Sequence, residues 1–192
     1  MSSNYQNIHQ DLIDACSHGD AKAQFEIYRL YYKAMYNSCL RILNDTQEAE
    51  DVMQEAFLSA FDKIATYKGE VSFGAWLKRI VVNRALDYLK KNKIESLPID
   101  DKIHQLTDEE PQSDDISIGC DIEMIKNAMD QLPSGYRIVL NLYLIEAYDH
   151  EEIAEILNIA ASTSRSQYNR AKKKLIQILS QVEDNSLKRR IK

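Results

Sequence analysis

The sequence predicts an all-α fold made of two small helical domains, and three observations indicate it. Five glycines and three prolines among 192 residues leave few turn formers for hairpins and strand crossovers. Apolar residues recur at helical spacing in several segments, and a hydrophobic content of 44% is sufficient for packed cores. An acidic stretch with two prolines interrupts this pattern near the middle of the chain, so we expect one domain on each side of it.

The acidic stretch, residues 95–121, carries all of the excess negative charge. The chain has a net charge of −6, yet residues 1–94 are neutral, residues 95–121 carry −8 and residues 122–192 carry +2. High charge without periodicity predicts a flexible linker. Composition favours a solvated spacer, and a segment that occupies a basic channel on a partner is the alternative. The predicted domains are therefore residues 1–94 and 122–183, with a basic tail at 184–192.

Composition also bears on compartment. The chain lacks a run of about 18 apolar residues, so we expect no membrane insertion. Its first residues lack the basic and apolar segments of a secretory signal. Three cysteines, Cys16, Cys39 and Cys120, form no CxxC pair and lack the spacing of metal ligands, which fits a reducing cytoplasm. We therefore predict a cytoplasmic protein.

The first domain is predicted to contain an amphipathic helix over residues 46–64. Its apolar residues follow i, i+3, i+4, i+7 spacing. Asp45 followed by Glu48 is a capping-box sequence, which marks the helix start. Upstream, Gly19 divides the apolar residues into a short helix and a longer one. The polar face of the 46–64 helix is either a solvated surface or a docking surface, and it carries Asp51, Gln54 and Glu55.

A loop with two glycines, residues 67–74, leads into a basic helix over residues 75–92. Aromatic residues flank the loop, and cations occupy the helix faces that the apolar residues leave free. Cations neutralise phosphates and aromatic rings stack on unpaired bases, so the cluster suits a nucleic acid. Trp76 alone would more often belong to a core, and only the combination indicates binding.

The second domain is predicted to hold four helices. A short first helix stops at Pro133, and the second runs from about Ser134 to Ala147. Asp149 is the expected N-cap of the third helix, with Glu152 three positions on. Asn158 follows the third helix at a sharp turn, where Asn tolerates the left-handed conformation.

The fourth helix is predicted to start at Ser162 or Thr163 and to carry a basic face. A helix, a short turn and a polar second helix describe a helix-turn-helix motif. The second helix can enter the major groove, where N-terminal polar residues read base edges and C-terminal lysines contact phosphates. The residues expected on its inner side are Ser164, Tyr168, Ala171 and Leu175.

Sequence motifs of enzymes and metal sites are incomplete or missing. His150-Glu151-Glu152 begins like the zinc motif HExxH, but Ala154 stands where the second histidine is needed. The chain also lacks a phosphate-binding GxxxxGK[ST] and a nucleophile GxSxG. We therefore predict no catalytic residues, no metal, no cofactor and no enzymatic activity.

The order of motifs resembles the extracytoplasmic-function (ECF, group IV) sigma factors of bacterial RNA polymerase, within the sigma-70 family. The resemblance rests on AEDVMQEAFLSAFDKI, then FGAWLKRIVVNRALDYLKK, the acidic linker, and LPSGYRIVLNLYLIEAYDHEEIAEILNIAASTSRSQYNRAKKKL. It covers roughly residues 10–180. It implies a sigma region-two helical bundle, a region-four helix-turn-helix, and a protein without chemistry of its own.

The resemblance also implies roles for individual residues. Contact with the polymerase core is implied for Asp51, Gln54 and Glu55. Recognition and melting of the −10 promoter element is implied for Tyr67, Phe73, Trp76, Arg79, Asn83 and Arg84. Recognition of the −35 element is implied for Thr163, Arg165, Ser166, Gln167, Asn169, Arg170 and Lys173. The linker would thread into the polymerase cleft.

The implied partners are the bacterial RNA polymerase core, promoter DNA and an anti-sigma factor. The chain departs from the family pattern at Asn158, where Gly is common, and at Ala160-Ala161-Ser162, where Ser-Glu-Gly is more usual. An alternative from another class is a stand-alone helix-turn-helix regulator that binds duplex operators without polymerase. An enzyme built on the first domain is a third hypothesis, which the missing catalytic pattern disfavours.

Overall fold

The computed structural model describes residues 7–92 and 121–190, with side chains up to residue 182. The described residues are helical and contain no strand, which confirms the predicted all-α class. The helices are α1 (Gln10–Ser17), α2 (Ala21–Leu43), α3 (Thr46–Asp62), α4 (Phe73–Asn92), α5 (Ile122–Asp130), α6 (Ser134–Leu144), α7 (His150–Leu157) and α8 (Ala161–Arg190). A 3₁₀ turn over Ile64–Thr66 lies between α3 and α4.

The chain divides into two compact units, Met1–Ile94 and Glu95–Lys192. The boundary falls where the predicted acidic linker begins. Most of that linker, residues 95–120, lies outside the described residues, as do Cys120 and the side chains of the predicted basic tail.

In the first unit, capping residues set the limits of the helices. Asp20 accepts hydrogen bonds from the backbone N–H groups of the first turn of α2, at 2.8 and 3.2 Å. Asn44 ends α2 in the left-handed conformation, with φ of 57°. Asp45 then caps α3 by accepting from two backbone N–H groups at 2.9 Å. Two consecutive residues thus end one helix and begin the next, which folds α3 back against α2.

The core of the first unit lies between α2, α3 and α4. The apolar stripe predicted for residues 46–64 is the buried face of α3, although the helix ends at Asp62 and Ile64 belongs to the 3₁₀ turn. The buried residues of α3 are Ala49, Val52, Met53, Ala56, Phe57 and Ala60. Cys16 and Cys39 are buried cysteines in the same unit. Burial raises the pKa of the Cys16 thiol, with Asp20 adding to the effect.

The second unit packs α5, α6 and α7 against α8. Its core includes Ala128, Leu132, Leu140, Ala171, Ile178 and Leu179. The prediction that the second helix reaches Ala147 is wrong, because α6 ends at Leu144 and Ala147 has a φ of 61°. The helix unwinds there because the Tyr148 N–H reaches back to the Leu142 carbonyl at 3.0 Å and closes the turn. Helix α8 continues to Arg190, past the predicted domain end at 183.

Candidate nucleic-acid and polymerase interface

Helix α3 presents the polar surface that the sequence predicts. Asp51, Gln54 and Glu55 are all exposed, on the side opposite the buried stripe. Glu55 also bridges to the neighbouring helix, because its Oε2 lies 3.2 Å from Nη2 of Arg84 on α4. The three residues therefore form an accessible face, one edge of which meets the cations of α4.

An aromatic cluster lies where the loop joins α4. The rings of Tyr67, Phe73 and Trp76 contact one another with centroid separations of 5.4–5.5 Å. Tyr31 of α2 packs edge-on against Phe73 at 5.6 Å. Gly74 permits this close approach, since a Cβ there would stand 3.2 Å from the Tyr31 ring.

Phe73 does not fit its predicted role as a direct DNA contact. Only 1% of its surface is exposed, because it is the first residue of α4 and points into the unit. Tyr67 and Trp76 are half-buried and retain an open side. Phe73 therefore packs against the Tyr67 and Trp76 rings from the core side and is not accessible to a base.

The exposed residues of α4 continue the predicted −10 surface. Arg79, Asn83 and Arg84 are exposed, whereas the buried face of the helix is apolar from Leu77 to Leu89. The spacing of Arg79 and Asn83 places them one turn apart on the same side of α4. The structure thus keeps Trp76, Arg79, Asn83 and Arg84 on one helix, with Tyr67 packed against its first turn.

Asn7 contacts this loop and was not singled out by sequence reasoning. Its side-chain amide donates to the Tyr67 hydroxyl at 2.8 Å and to Gln10 Oε1 at 3.0 Å. Its Oδ1 accepts the backbone N–H of Phe73 at 2.8 Å. A single asparagine outside any periodic segment gives no sequence signal, because its two partners in the loop, Tyr67 and Phe73, lie 60 and 66 positions away.

The predicted helix-turn-helix is present as α7, a short turn and α8. The capping box is confirmed: Asp149 accepts the Glu152 N–H at 2.7 Å, and Glu152 accepts the Asp149 N–H at 2.9 Å. Asn158 adopts the left-handed conformation, with φ of 55°, as the turn requires. The Ile159 N–H then bonds to the Ala154 carbonyl at 3.0 Å, which fixes the direction in which α8 leaves.

Most of the predicted −35 residues lie on the outer side of α8, and the residues expected in the core lie on its inner side. Arg165, Asn169 and Lys173 recur every fourth residue and are exposed along one side. Thr163, Ser166 and Arg170 are partly exposed beside them. The inner side holds Ser164, Tyr168, Ala171 and Leu175, which are buried or half-buried as expected.

Gln167 lies on the buried side rather than the predicted DNA-facing side. Its exposure is 8%, and it falls between Ser164 and Ala171, which are both fully buried. The i+3 and i+4 relation to these two residues could have placed it there from the sequence alone. The base-reading surface is therefore centred on Arg165 and Asn169.

A second group missed by sequence reasoning holds α6, α7 and α8 together. His150 Nδ1 lies 2.9 Å from the hydroxyl of the buried Ser164, and its ring stacks on Tyr143 with centroids 4.6 Å apart. Tyr168 contacts both rings. Burial, and then the charge of Arg165, lowers the pKa of His150, while burial raises the pKa of Tyr168. The His150 imidazole thus couples the first turn of α7 to α8.

Arg165 is oriented by a carboxylate of the preceding helix. Its Nη2 hydrogen-bonds and ion-pairs with Glu151 Oε1 on α7. Both side chains remain more than half exposed, so the pair is a solvated contact of modest energy. It nevertheless restricts the guanidinium at the leading turn of α8.

Within residues 7–92 and 121–182, no group of three or more His, Cys, Asp or Glu side chains is arranged to hold a metal ion. The helices of the described residues do not combine the length and apolar character needed to cross a bilayer.

Two family profiles match the chain, one on each unit. The family described as Sigma-70 region 2 matches residues 27–94. The family described as Sigma-70, region 4 matches residues 122–175. The first match spans α2 to α4 and the second spans α5 to the first half of α8, so each covers a surface described above.

Curated relatives match across both units. The ECF RNA polymerase sigma factor SigM of Bacillus subtilis (strain 168) is 31% identical over 150 residues, which cover 78% of this chain and 91% of that protein. SigW of the same organism is 29% identical over 167 residues, covering 82% and 89% of the two chains. A co-crystal structure of the sigma factor RpoE with the anti-sigma factor NepR from Bartonella quintana is similar in fold. Its TM-score is 0.55 at 21% identity, with 81% of this chain and 95% of RpoE covered.

Proposed function

Because this chain belongs to the ECF group of the sigma-70 family, we propose that its two helical units divide promoter recognition between the −10 and −35 elements. As an ECF sigma factor, the protein directs bacterial RNA polymerase to specific promoters and initiates transcription. We also propose which surface of each unit contacts the polymerase and which contacts DNA.

The observation that carries the proposal is the presence of a region-two match and a region-four match in one chain. SigM is matched over 91% of its length and 78% of this chain, so the likeness is not confined to one unit. A stand-alone helix-turn-helix regulator would need only the second unit, and the relatives do not support that alternative.

In the first unit, the proposed polymerase surface is the exposed face of α3 that carries Asp51, Gln54 and Glu55. Its accessibility supports this role, since none of the three is needed for the core. The proposed −10 surface adjoins it. The ion pair between Glu55 and Arg84 lies between the two surfaces, so a polymerase that engages Glu55 would leave Arg84 available for a phosphate.

The proposed −10 surface consists of Tyr67, Trp76, Arg79, Asn83 and Arg84. Half-buried rings that keep one open side can stack on an unpaired base. The exposed α4 cations can neutralise the phosphates on either side of such a base. Extruding a base from the duplex costs a few kcal/mol, which these contacts must offset.

In the second unit, α8 is the proposed recognition helix for duplex −35 DNA. Arg165 and Asn169 lead from its N-terminal part, where a recognition helix reaches base edges. Lys173 lies about two turns after Arg165 and one after Asn169, and it suits a phosphate. Thr163, Ser166 and Arg170 flank this row, and buried Gln167 supports α8 from inside the unit.

The polymerase is also expected to control access to DNA. A linker with a charge of −8 repels phosphate, so the free protein should bind promoters weakly until the polymerase engages the linker. An anti-sigma factor that covers the polymerase-binding surfaces is a further proposed partner, and the cytoplasm, where the polymerase acts, is the proposed location. We assign the protein no catalytic activity, metal or cofactor of its own.

Transcription with purified components tests the proposal. The full chain is mixed with bacterial core polymerase and genomic DNA of the source organism, and the 5′ ends of the transcripts are sequenced. We expect transcripts that begin downstream of shared −10 and −35 sequences, and none with core polymerase alone. Scrambling the −35 sequence of a recovered promoter should abolish its transcript. Failure to form a stable complex with core polymerase would refute the sigma assignment.

A further inference from the structure

We propose that Asn7 is a positioning residue for the −10 surface, which makes the segment before α1 part of the promoter-melting apparatus. The proposal rests on the assignment of the loop 67–72 and α4 to the −10 element. It concerns a residue outside the matched region-two segment, which begins at residue 27.

Asn7 uses all the hydrogen-bonding groups of its side-chain amide. Both donors of its side-chain amide are used, one by Tyr67 and one by Gln10, and its oxygen accepts from Phe73. The residue is only 9% exposed, so water has little access to these bonds. A buried polar group with all its partners is costly to replace, because any smaller or apolar side chain leaves the partners unsatisfied.

Two of these partners, Tyr67 and Phe73, lie at the two ends of the loop. Tyr67 is the residue after the 3₁₀ turn, and Phe73 is the first residue of α4. The first N–H groups of a helix lack intrahelical acceptors and need other partners. Ser72 Oγ accepts the Ala75 N–H at 3.2 Å, whereas the buried Phe73 N–H is satisfied by Asn7. Asn7 therefore caps α4 from 66 positions away in the chain.

The direction of the hydrogen bonds at Tyr67 also requires Asn7. The Tyr67 hydroxyl donates to the Val71 carbonyl at 2.7 Å, so its oxygen must accept from a donor, and Asn7 supplies that donor. This arrangement closes the loop on itself and fixes the Tyr67 ring against Phe73 and Trp76. The loop residues left outside, Lys68, Glu70 and Val71, are exposed.

These contacts indicate a substitution at Asn7 that should move the loop without unfolding the first unit. Asn7→Asp keeps an oxygen acceptor for the Phe73 N–H but loses the donors to Tyr67 and Gln10. The single Tyr67 hydroxyl proton can then go either to the carboxylate or to the Val71 carbonyl but not to both, so the loop rearranges while the cap of α4 remains. The matched control is Asn37→Asp, which makes the same chemical change at an exposed position of α2 in the same unit.

The experiment uses holoenzyme reconstituted from core polymerase and the full chain, on a promoter recovered by the transcription test. Permanganate reactivity of −10 thymines measures melting, and gel filtration measures core binding. We expect Asn7→Asp to reduce melting by at least about fivefold, since a buried group is left without its partner. Core binding should stay close to that of Asn37→Asp, which should match wild type. The unfolding midpoint read from Trp76 fluorescence should fall below that of Asn37→Asp, because buried partners are left unpaired, but the first unit should remain folded under the conditions of the melting assay.

Tyr67→Phe supplies a second, independent variant. It removes the hydroxyl that joins Asn7 to Val71 and leaves the Asn7–Phe73 contact intact, so it should also reduce melting. The double variant should melt the promoter no worse than Asn7→Asp alone, because both substitutions break the same bond.

Three outcomes would overturn the proposal. Asn7→Asp could melt promoters within twofold of wild type, or it could lose core binding to the same extent as melting. If Asn7→Asp does not fold, Tyr67→Phe decides, and unchanged melting by that variant refutes the role. A wild-type protein that fails to transcribe with core polymerase would instead refute the sigma assignment, which keeps the two failures distinct.

Discussion

Phe73→Leu distinguishes a core role for this residue from the DNA contact that its sequence position suggests. In the structure the ring is 1% exposed and contacts Tyr31, Tyr67 and Trp76 at centroid separations of 5.4–5.6 Å. Leucine keeps an apolar side chain at the site but removes the three ring-to-ring contacts. The substitution should therefore lower the stability of the first unit and leave the base-contacting side of Trp76 in place.

The expected magnitude follows from the ring contacts. An aromatic pair contributes about 0.5–1.5 kcal/mol beyond the area it buries. Contacts that share one ring are not additive, so three such pairs correspond to a loss of about 1.5–3 kcal/mol. With a urea dependence of about 1–3 kcal/mol per molar for a small unit, the unfolding midpoint should fall by about 1 M.

The assay exploits the single tryptophan of the chain. Trp76 lies in the first unit and packs on Phe73, so its fluorescence reports the unfolding of that unit separately from the second. Val71→Ala is the matched control in the same loop, because Val71 is 50% exposed and should change the free energy of unfolding by no more than about 0.5 kcal/mol. An unchanged midpoint for Phe73→Leu together with reduced promoter melting would refute the reasoning and restore Phe73 as a DNA contact.

Three further predictions concern the second unit. Asp149→Ala removes the side-chain cap that accepts the Glu152 N–H and leaves the backbone N–H of residue 149 bonded to Glu152. It should cost about 1 kcal/mol, measured as faster amide hydrogen exchange in α7, and unchanged exchange would contradict this. Arg165→Ala and Arg170→Ala should each weaken −35-dependent transcription by about 1–3 kcal/mol if they read bases, whereas Gln167→Ala should act only through stability. The second unit should also lose stability as pH falls below about 6.5, the ordinary pKa of histidine. The folded pKa of His150 lies below that value, so protonation favours the unfolded state. Amide protection factors of the second unit, measured by hydrogen exchange at pH 7.5 and 5.5, should fall at the lower pH in wild type. The fall should be smaller in His150→Gln, and equal losses would exclude His150 as the source.

Most of the helical framework follows from local sequence patterns. The stripe over residues 46–64 is buried, on α3 up to Asp62 and at Ile64 in the 3₁₀ turn, and the Asp149 capping box and the Asn158 turn stand as predicted. These features depend on residues within four positions of one another, which is the range over which helical spacing and capping act. The end of α6 differs from the prediction because the Tyr148 N–H closes the turn there and no sequence breaker marks it.

Local sequence patterns predict only part of the candidate site. Arg79, Asn83, Arg165 and Asn169 are exposed on the helices assigned to them. Phe73, however, is buried because the first turn of α4 approaches α2, and no local pattern reveals that contact.

The sequence by itself determined the helix class, the order of the two units, the capped turn before α8 and the family to which the chain belongs. All of these depend on residue spacing along one segment. Only the tertiary structure decided that Asn7 caps α4, that His150 joins α7 to Ser164, and which side chains of each helix reach solvent. The physical reason is that a buried hydrogen bond or ring contact needs two partners, and folding brings together partners that lie 14 to 66 positions apart.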